Sequence, residues 1–196
     1  MKLYDIEERV RSWMLAHADG PKALWLLFVI SFFEASLLPL PPSAFMLGMI
    51  ALGTRRRWVY LATLTTLTSV AGGLFGYLIG AALYDTVGVW IVEHYRLADE
   101  VARLGIFYRD WDFTANFIGA FTPLPYKAFA IASGFFSVNI ATFTLASLLG
   151  RGLNFFIVAF VAKVFGEHIA RSVFRYVAFM TLLAAGIVLA VVLSSR

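Results

Sequence analysis

The chain has 196 residues, of which 61% are hydrophobic and 14% are charged, and its formal net charge is +4. An ordinary soluble domain carries about 25% charged residues, so this composition excludes that class and indicates an integral membrane protein with a single domain, 1–196. The chain contains no cysteine, which excludes disulfides and thiol chemistry. Basic residues beside apolar segments set membrane orientation, and we expect no nucleic-acid partner.

The first segment, 1–22, has the spacing of an amphipathic helix. Its apolar residues recur every three or four positions, with charged residues between them, at Leu3, Ile6, Val10, Trp13 and Met14. This pattern predicts an interfacial helix on the membrane surface. An ordinary helix that packs on the rest of the protein would show the same pattern.

Segment 23–54 is an apolar run whose only charged residue is Glu34, and prolines interrupt it near the middle. The run is longer than the ~20 residues that one membrane span needs and too short for two spans. Prolines stop a helix, and irregular backbone at membrane depth survives only inside protein or beside water. We therefore predict a re-entrant helical hairpin with its break at Pro39, Pro41 and Pro42.

Segment 58–84 carries no charge and follows three arginines at 55–57, which predicts a membrane-spanning helix. Gly72, Gly76 and Gly80 recur along it at intervals of four residues. Such a stripe lets another helix approach closely, so we predict helix packing at these glycines. A role in ligand access is the alternative.

Segment 85–112 is polar, with six acidic residues, three arginines and several aromatic residues. We predict an amphipathic segment on the side of the membrane opposite the arginines at 55–57. The chain then repeats its earlier pattern, because prolines interrupt the next apolar run at Pro123 and Pro125. The predicted elements are a second re-entrant hairpin at 113–136 and spanning helices at 138–162 and 176–195.

The two predicted hairpins contain similar seven-residue sequences. Residues 39–45 read PLPPSAF and residues 123–129 read PLPYKAF, so five of seven positions are identical. Along the predicted path, the first hairpin enters from the side of the arginines and the second from the opposite side. The sequence therefore predicts an inverted repeat, a common plan in transporters. Chance similarity between two apolar strings is the alternative.

Glu34 is the candidate for proton or ion coupling. A charged side chain at membrane depth costs about 2.5–3.5 kcal/mol on insertion scales and usually serves a function. We expect burial to favour its protonated form, which would let it respond to a proton gradient or bind a cation. The alternative is a structural ion pair with Arg151 or Lys127.

Lys127 and Arg151 are the candidates for binding a lipid phosphate. Lys127 follows Pro125 at the second break, and Arg151 interrupts an otherwise apolar run. Arginine binds phosphate through a planar fork of donors, and lysine binds it as a point charge. The alternatives are that Lys127 extends to the membrane interface and that Arg151 pairs with Glu34.

Other chemistry is not indicated by the sequence. His17, His94 and His168 are far apart and accompany no acidic metal-binding pattern. No glycine-rich phosphate loop and no nucleophile elbow occurs. We predict no metal site, no cofactor and no enzymatic activity.

Three motifs together carry a family resemblance. The first is Phe33-Glu34 followed by the prolines of 39–42, the second is the glycine-rich stretch 72–80, and the third is 117–134 with Pro123 and Lys127. In this order they resemble the signatures of the DedA superfamily, also called VTT-domain or SNARE-associated-type membrane proteins. The resemblance covers residues 25–165, and the compact form is similar to the YqaA-like branch.

The resemblance implies two inverted re-entrant hairpins and the movement of lipid across a bacterial inner membrane. In the family this means flipping or scrambling of phospholipids or undecaprenyl phosphate, often linked to ion or proton gradients. It assigns the acidic residue of the family to Glu34. The second signature has arginines where this chain has Ala120 and Tyr126, and Lys127 stands one residue later. Arg151 is then the candidate for the missing charge.

We therefore predict an all-α, multi-pass membrane protein with two inverted re-entrant hairpins, about three spanning helices and an N-terminal interfacial helix. Its predicted function is that of a flippase or scramblase for a phosphate-bearing lipid, coupled to protons or monovalent cations. A homo-oligomer is compatible with the sequence. Two alternatives stay open, namely a small-solute or ion transporter of the same architecture and a membrane assembly protein that transports nothing.

Overall fold

The computed structural model describes residues 16–36, 41–53, 55–83, 94, 98–122 and 124–166. Every regular element in this part of the chain is helical, which confirms the prediction of an all-α protein for these residues. The predicted interfacial helix, apart from its last residues, and the predicted helix 176–195 lie outside the described residues. Pro39 and Pro123 also lie outside them.

Six α-helices and one 3-10 turn follow one another in the described residues. They are α1 (Pro21–Ser36), α2 (Pro42–Leu52), the 3-10 turn Arg55–Arg57, α3 (Trp58–Leu83), α4 (Ala98–Phe121), α5 (Tyr126–Phe135) and α6 (Ile140–Phe165). Two of the repeated prolines stand at helix starts, because Pro41 caps α2 and Pro125 caps α5. A proline at a helix start loses no intrahelical hydrogen bond, whereas one inside a helix would.

The two long helices, α3 and α6, are antiparallel and have 26 residues each. At one end the Lys163 Nζ lies 5.0 Å from the centre of the Trp58 ring. At the other end the Tyr77 hydroxyl donates to the Val138 carbonyl over 2.6 Å. We call the first the basic end, because Arg55–Arg57 also lie there, and the second the far end. Both helices are long and apolar enough to cross a membrane, judged by length and composition.

The first hairpin, α1 and α2, begins and ends at the basic end. Arg57 donates to the Asp19 carbonyl over 3.0 Å, just before α1. A side chain at Gly53, just after α2, would meet Ala18 and Asp19. Between these points α1 runs along α3, where the Ser31 hydroxyl donates to the Thr65 carbonyl over 2.8 Å.

The second hairpin, α4 and α5, begins and ends at the far end. The Tyr108 ring of α4 stacks on the Phe136 ring, which follows α5, with centroids 5.2 Å apart. The inner end of α4 reaches the middle of α6, where Asn154 donates to the Phe121 carbonyl over 2.7 Å.

The helix α4 crosses the boundary that the sequence places between 85–112 and 113–136. One helix runs from Ala98 to Phe121, with a kink at Trp111, whose φ is −127° and ψ is 24°. Asn116 donates to the Asp112 carbonyl over 2.8 Å in the turn that follows the kink. The change from polar to apolar composition therefore marks a bend in the helix and not an interruption.

Glycines set the closest helix contacts. A Cβ at Gly72 would overlap the Phe32 carbonyl of α1, and a Cβ at Gly80 would overlap the Ile131 carbonyl of α5. Gly76 faces Ala130, also on α5. The structure thus places the three predicted packing glycines where α3 meets both hairpins.

Candidate functional site

The centre of the site is an ion pair between α1 and α6. Arg151 Nη2 donates to Glu34 Oε2 over 2.5 Å. The Arg151 side chain is 9% exposed and that of Glu34 is 20% exposed. The pairing that the sequence left open as an alternative for both residues is therefore present. It joins a carboxylate near the end of α1 to a guanidinium near the middle of α6.

Ser69 of α3, which is not among the candidates predicted from the sequence, contacts the other side of the guanidinium. Arg151 Nε donates to Ser69 Oγ over 2.7 Å, and Ser69 is fully buried. Each of the two residues is the twelfth of its 26-residue helix. When two antiparallel helices of equal length are related by an approximate twofold axis, residues with the same position number in each helix face each other. This equivalence is the signal in the sequence that could have found Ser69.

Two aromatic rings flank the guanidinium of Arg151. Its Cζ lies 5.0 Å from the centre of the Tyr126 ring and 4.6 Å from the centre of the Phe155 ring. Cation–π contacts of this kind stabilise a charge that has left water. Because Tyr126 begins α5, the inner ends of both hairpins meet at Arg151.

The arrangement makes the buried guanidinium of Arg151 dependent on a negative partner. Removing one partner of a buried pair leaves an uncompensated charge, which is strongly unfavourable. Arg151 can therefore leave Glu34 only when a second anion replaces the carboxylate. A phosphate group fits this requirement, because the planar fork of arginine binds its oxygens in a bidentate manner.

Two further hydroxyls lie in the same region of the interior. The Tyr126 and Ser147 hydroxyls are buried, and within the described part of the chain neither forms a hydrogen bond. The Tyr126 hydroxyl lies where a side chain at Gly73 would otherwise be. Neither hydroxyl is a candidate from the sequence alone.

The remaining candidates take the following places. Lys127 is half-buried in the first turn of α5, next to Tyr126 in the chain. Pro41, Pro42 and Pro125 stand at the starts of α2 and α5. Among the described residues, no group of histidine and acidic side chains could hold a metal ion.

Two relatives were found in comparisons with known proteins. The chain is 32% identical over 146 residues to an uncharacterized protein of Haemophilus influenzae, which covers 74% of each chain. It is 27% identical over 157 residues to an uncharacterized protein of Histophilus somni, which covers 80% of each chain. No protein-family model and no solved structure matches the chain. The chain belongs to the same family as the Haemophilus influenzae protein.

Proposed function

We propose that this member of the family of the Haemophilus influenzae protein is a multi-pass protein of the bacterial inner membrane that moves a phosphate-bearing lipid between leaflets. The observation that carries the proposal is the ion pair between buried Arg151 and half-buried Glu34, which lies where the inner ends of two oppositely directed hairpins meet. Ionisable groups in a membrane interior are rare and usually belong to a transport pathway.

The outer surface of α6 supports a membrane location. This helix buries Arg151 on one face and exposes large apolar side chains on the other, at Leu145, Leu149, Leu153, Ile157, Phe160 and Val164. Exposed apolar surface of this extent is unfavourable in water and favourable against lipid chains. In this setting α3 and α6 are spanning helices, and the two hairpins are re-entrant.

Anion exchange at Arg151 supplies the mechanism. When Glu34 takes up a proton, its carboxyl group becomes neutral, and Arg151 then donates to a lipid phosphate in its place. Lys127 adds a second positive charge at the inner end of α5. When Glu34 releases the proton, its carboxylate competes for Arg151 and the phosphate leaves. The acyl chains stay in the bilayer, so only the headgroup needs a polar path.

Proton coupling requires that the two states differ in their affinity for the proton. A ligand shifts a conformational equilibrium only through such a difference. In the proposed cycle the Glu34 carboxylate is paired with Arg151 in one state and replaced by phosphate in the other. The resemblance to the DedA superfamily supports the same function, since it implies inverted hairpins and an acidic residue in the first of them.

Reconstitution in liposomes tests the proposal. Fluorescent lipids that differ in headgroup are added to vesicles with wild-type protein, with Glu34→Gln, with Lys127→Ala or with Asp112→Asn. We expect the wild type to move phosphate-bearing lipids, and both Glu34→Gln and Lys127→Ala to lose most of this transport. Asp112→Asn is the matched control, because it removes the same charge from a carboxylate outside the site.

Folding of each variant is checked by size-exclusion chromatography before transport is measured. Wild-type protein that moves none of the lipids under any pH or ion gradient would contradict the proposal. Uptake of a small solute by the same vesicles would then favour a solute transporter, and no uptake would favour an assembly protein.

A further inference from the structure

The pair of buried hydroxyls beside Arg151 is unusual for this protein. Elsewhere in the described interior, hydroxyls of the same kinds are hydrogen-bonded. The Tyr77 hydroxyl donates to the Val138 carbonyl over 2.6 Å, and the Ser133 hydroxyl donates to Asn116 Oδ1 over 2.7 Å. Buried hydroxyls without a hydrogen bond are destabilising, and native proteins contain few of them. Those of Tyr126 and Ser147 therefore need an explanation.

Packing alone does not provide that explanation. The Tyr126 ring stacks on the Phe143 ring at 6.4 Å with an interplanar angle of 6°, and a phenylalanine would stack equally well. An alanine would replace Ser147 with little change in volume. Either replacement would remove an unsatisfied group from the interior. The hydroxyls thus lower stability in the state that the structure describes, which is typical of groups that act in another state.

The position of the hydroxyls relative to the ion pair indicates what they bind. Ser147 lies one helical turn before Arg151 on α6. The Tyr126 hydroxyl lies against Gly73, which is one turn after Ser69 on α3. Because α3 and α6 are antiparallel, both shifts point toward the far end. The two hydroxyls form a layer that is four residues, or ~6 Å, from the layer of Glu34, Ser69 and Arg151.

The hydroxyls of Tyr126 and Ser147 are neighbours across the contact of α5 with α6, although they do not reach hydrogen-bond geometry with each other. Two neutral donors therefore stand together beside a guanidinium. A tetrahedral anion has oxygens that point in different directions, so it can accept from the guanidinium with two of them and from the hydroxyls with others. A planar carboxylate offers only two oxygens, and in the Glu34–Arg151 pair one of them, Oε2, accepts from Arg151 Nη2.

We propose that the Tyr126 and Ser147 hydroxyls donate to the headgroup phosphate once Arg151 has exchanged Glu34 for it, and that they select phosphate over carboxylate. The inference rests on the proposed function and specifies the substrate class of the same site. Glu34 itself is a carboxylate and pairs with Arg151 without using either hydroxyl, which leaves both donors free for the phosphate.

Binding by purified full-length protein in detergent micelles tests the inference. The probes are dioctanoyl phosphatidic acid and octanoate, and the variants are Tyr126→Phe and Ser147→Ala. We expect each variant to weaken binding of phosphatidic acid about tenfold and to leave octanoate binding unchanged. The unfolding temperature of each variant should equal or exceed that of the wild type, because an unsatisfied hydroxyl is removed.

Tyr77→Phe and Ser133→Ala are the matched controls, because they remove the same hydroxyls from positions where these are hydrogen-bonded. They should lower the unfolding temperature and leave binding of both probes unchanged. The two pairs of variants thus have opposite expected effects on stability and on binding. A structural role for Tyr126 and Ser147 would make them behave like the controls.

Three results would overturn the inference. One is wild-type affinity for phosphatidic acid in both site variants, which leaves the proposed function intact if the wild type transports lipid. Another is equal weakening of both probes together with a lower unfolding temperature. The third is a wild-type protein that neither binds phosphatidic acid nor moves lipid, in which case the proposed function fails as well.

Discussion

The two hairpins share a proline-containing string, yet the helices that begin in it, α2 and α5, pack by different means. In the second hairpin, α5 lies on α3 in backbone-to-backbone contact, because Gly80 and Gly134 have no side chain at the interface. In the first hairpin, α2 packs on α6 through long side chains, with Met46 and Ile50 in the cluster that contains Phe155. The prolines determine where the helices begin, whereas side-chain size determines how closely the arms approach.

The hairpins also differ in what they bring to the site. The first contributes the carboxylate of Glu34, and the second contributes the aromatic ring of Tyr126 beside Lys127. The guanidinium of Arg151 joins them, because it contacts both Glu34 and Tyr126. The two hairpins therefore contribute different groups to the site, as the proposed exchange of anions at Arg151 requires.

The largest change in the free energy of unfolding is expected from breaking the Glu34–Arg151 ion pair, at which the two hairpins meet. Glu34→Gln should lower the free energy of unfolding by about 3–5 kcal/mol, because it leaves the Arg151 guanidinium buried without a counter-charge. The double variant Glu34→Gln/Arg151→Met removes both charges and should be about as stable as the wild type. Reversible unfolding in mixed micelles measures both values. Equal losses in the single and double variants would show that the charge is not the cause.

A smaller effect is expected where the second hairpin contacts α3. Gly80→Ala should lower the free energy of unfolding by about 1–3 kcal/mol, because the new Cβ overlaps the Ile131 carbonyl and the helices must separate. Gly152→Ala on α6 is the matched control. Its Cβ would lie 3.6 Å from Thr66 Cγ2, an ordinary contact, and it should stabilise the helix by up to about 1 kcal/mol. A neutral Gly80→Ala would contradict the close packing of α5.

The smallest effect is expected in the first hairpin. Met46→Leu should change the free energy of unfolding by less than about 1.5 kcal/mol, because α2 packs through side chains that can adjust and the volumes are similar. Thr65 Oγ1 lies 3.5 Å from Met46 Sδ but donates to the Leu61 carbonyl over 2.7 Å, so the substitution removes no strong hydrogen bond. Unfolding in the same micelles provides the comparison. A loss larger than that of Gly80→Ala would reverse the ranking of the two hairpins.

Much of the helical plan follows from local features of the sequence. Apolar runs predict helices at 58–84 and 138–162, the second with Arg151 as its one charge, and the structure has helices at Trp58–Leu83 and Ile140–Phe165. The predicted boundary after 112 instead falls inside α4, one residue beyond the kink at Trp111. Composition changes there from polar to apolar, but no proline is present to end the helix, so the backbone continues.

The sequence by itself determined the residue types of the site and the breaks that bring two hairpins to its centre. A lone acidic residue and a lone arginine in apolar runs can be recognised as candidate site residues from the sequence, because charged residues are rare in such runs. Only the tertiary structure decided that Glu34 pairs with Arg151, that Ser69 completes the pair and that Tyr126 and Ser147 keep unpaired hydroxyls. These residues lie on four helices, and which helix faces meet depends on packing between segments that are distant in the chain.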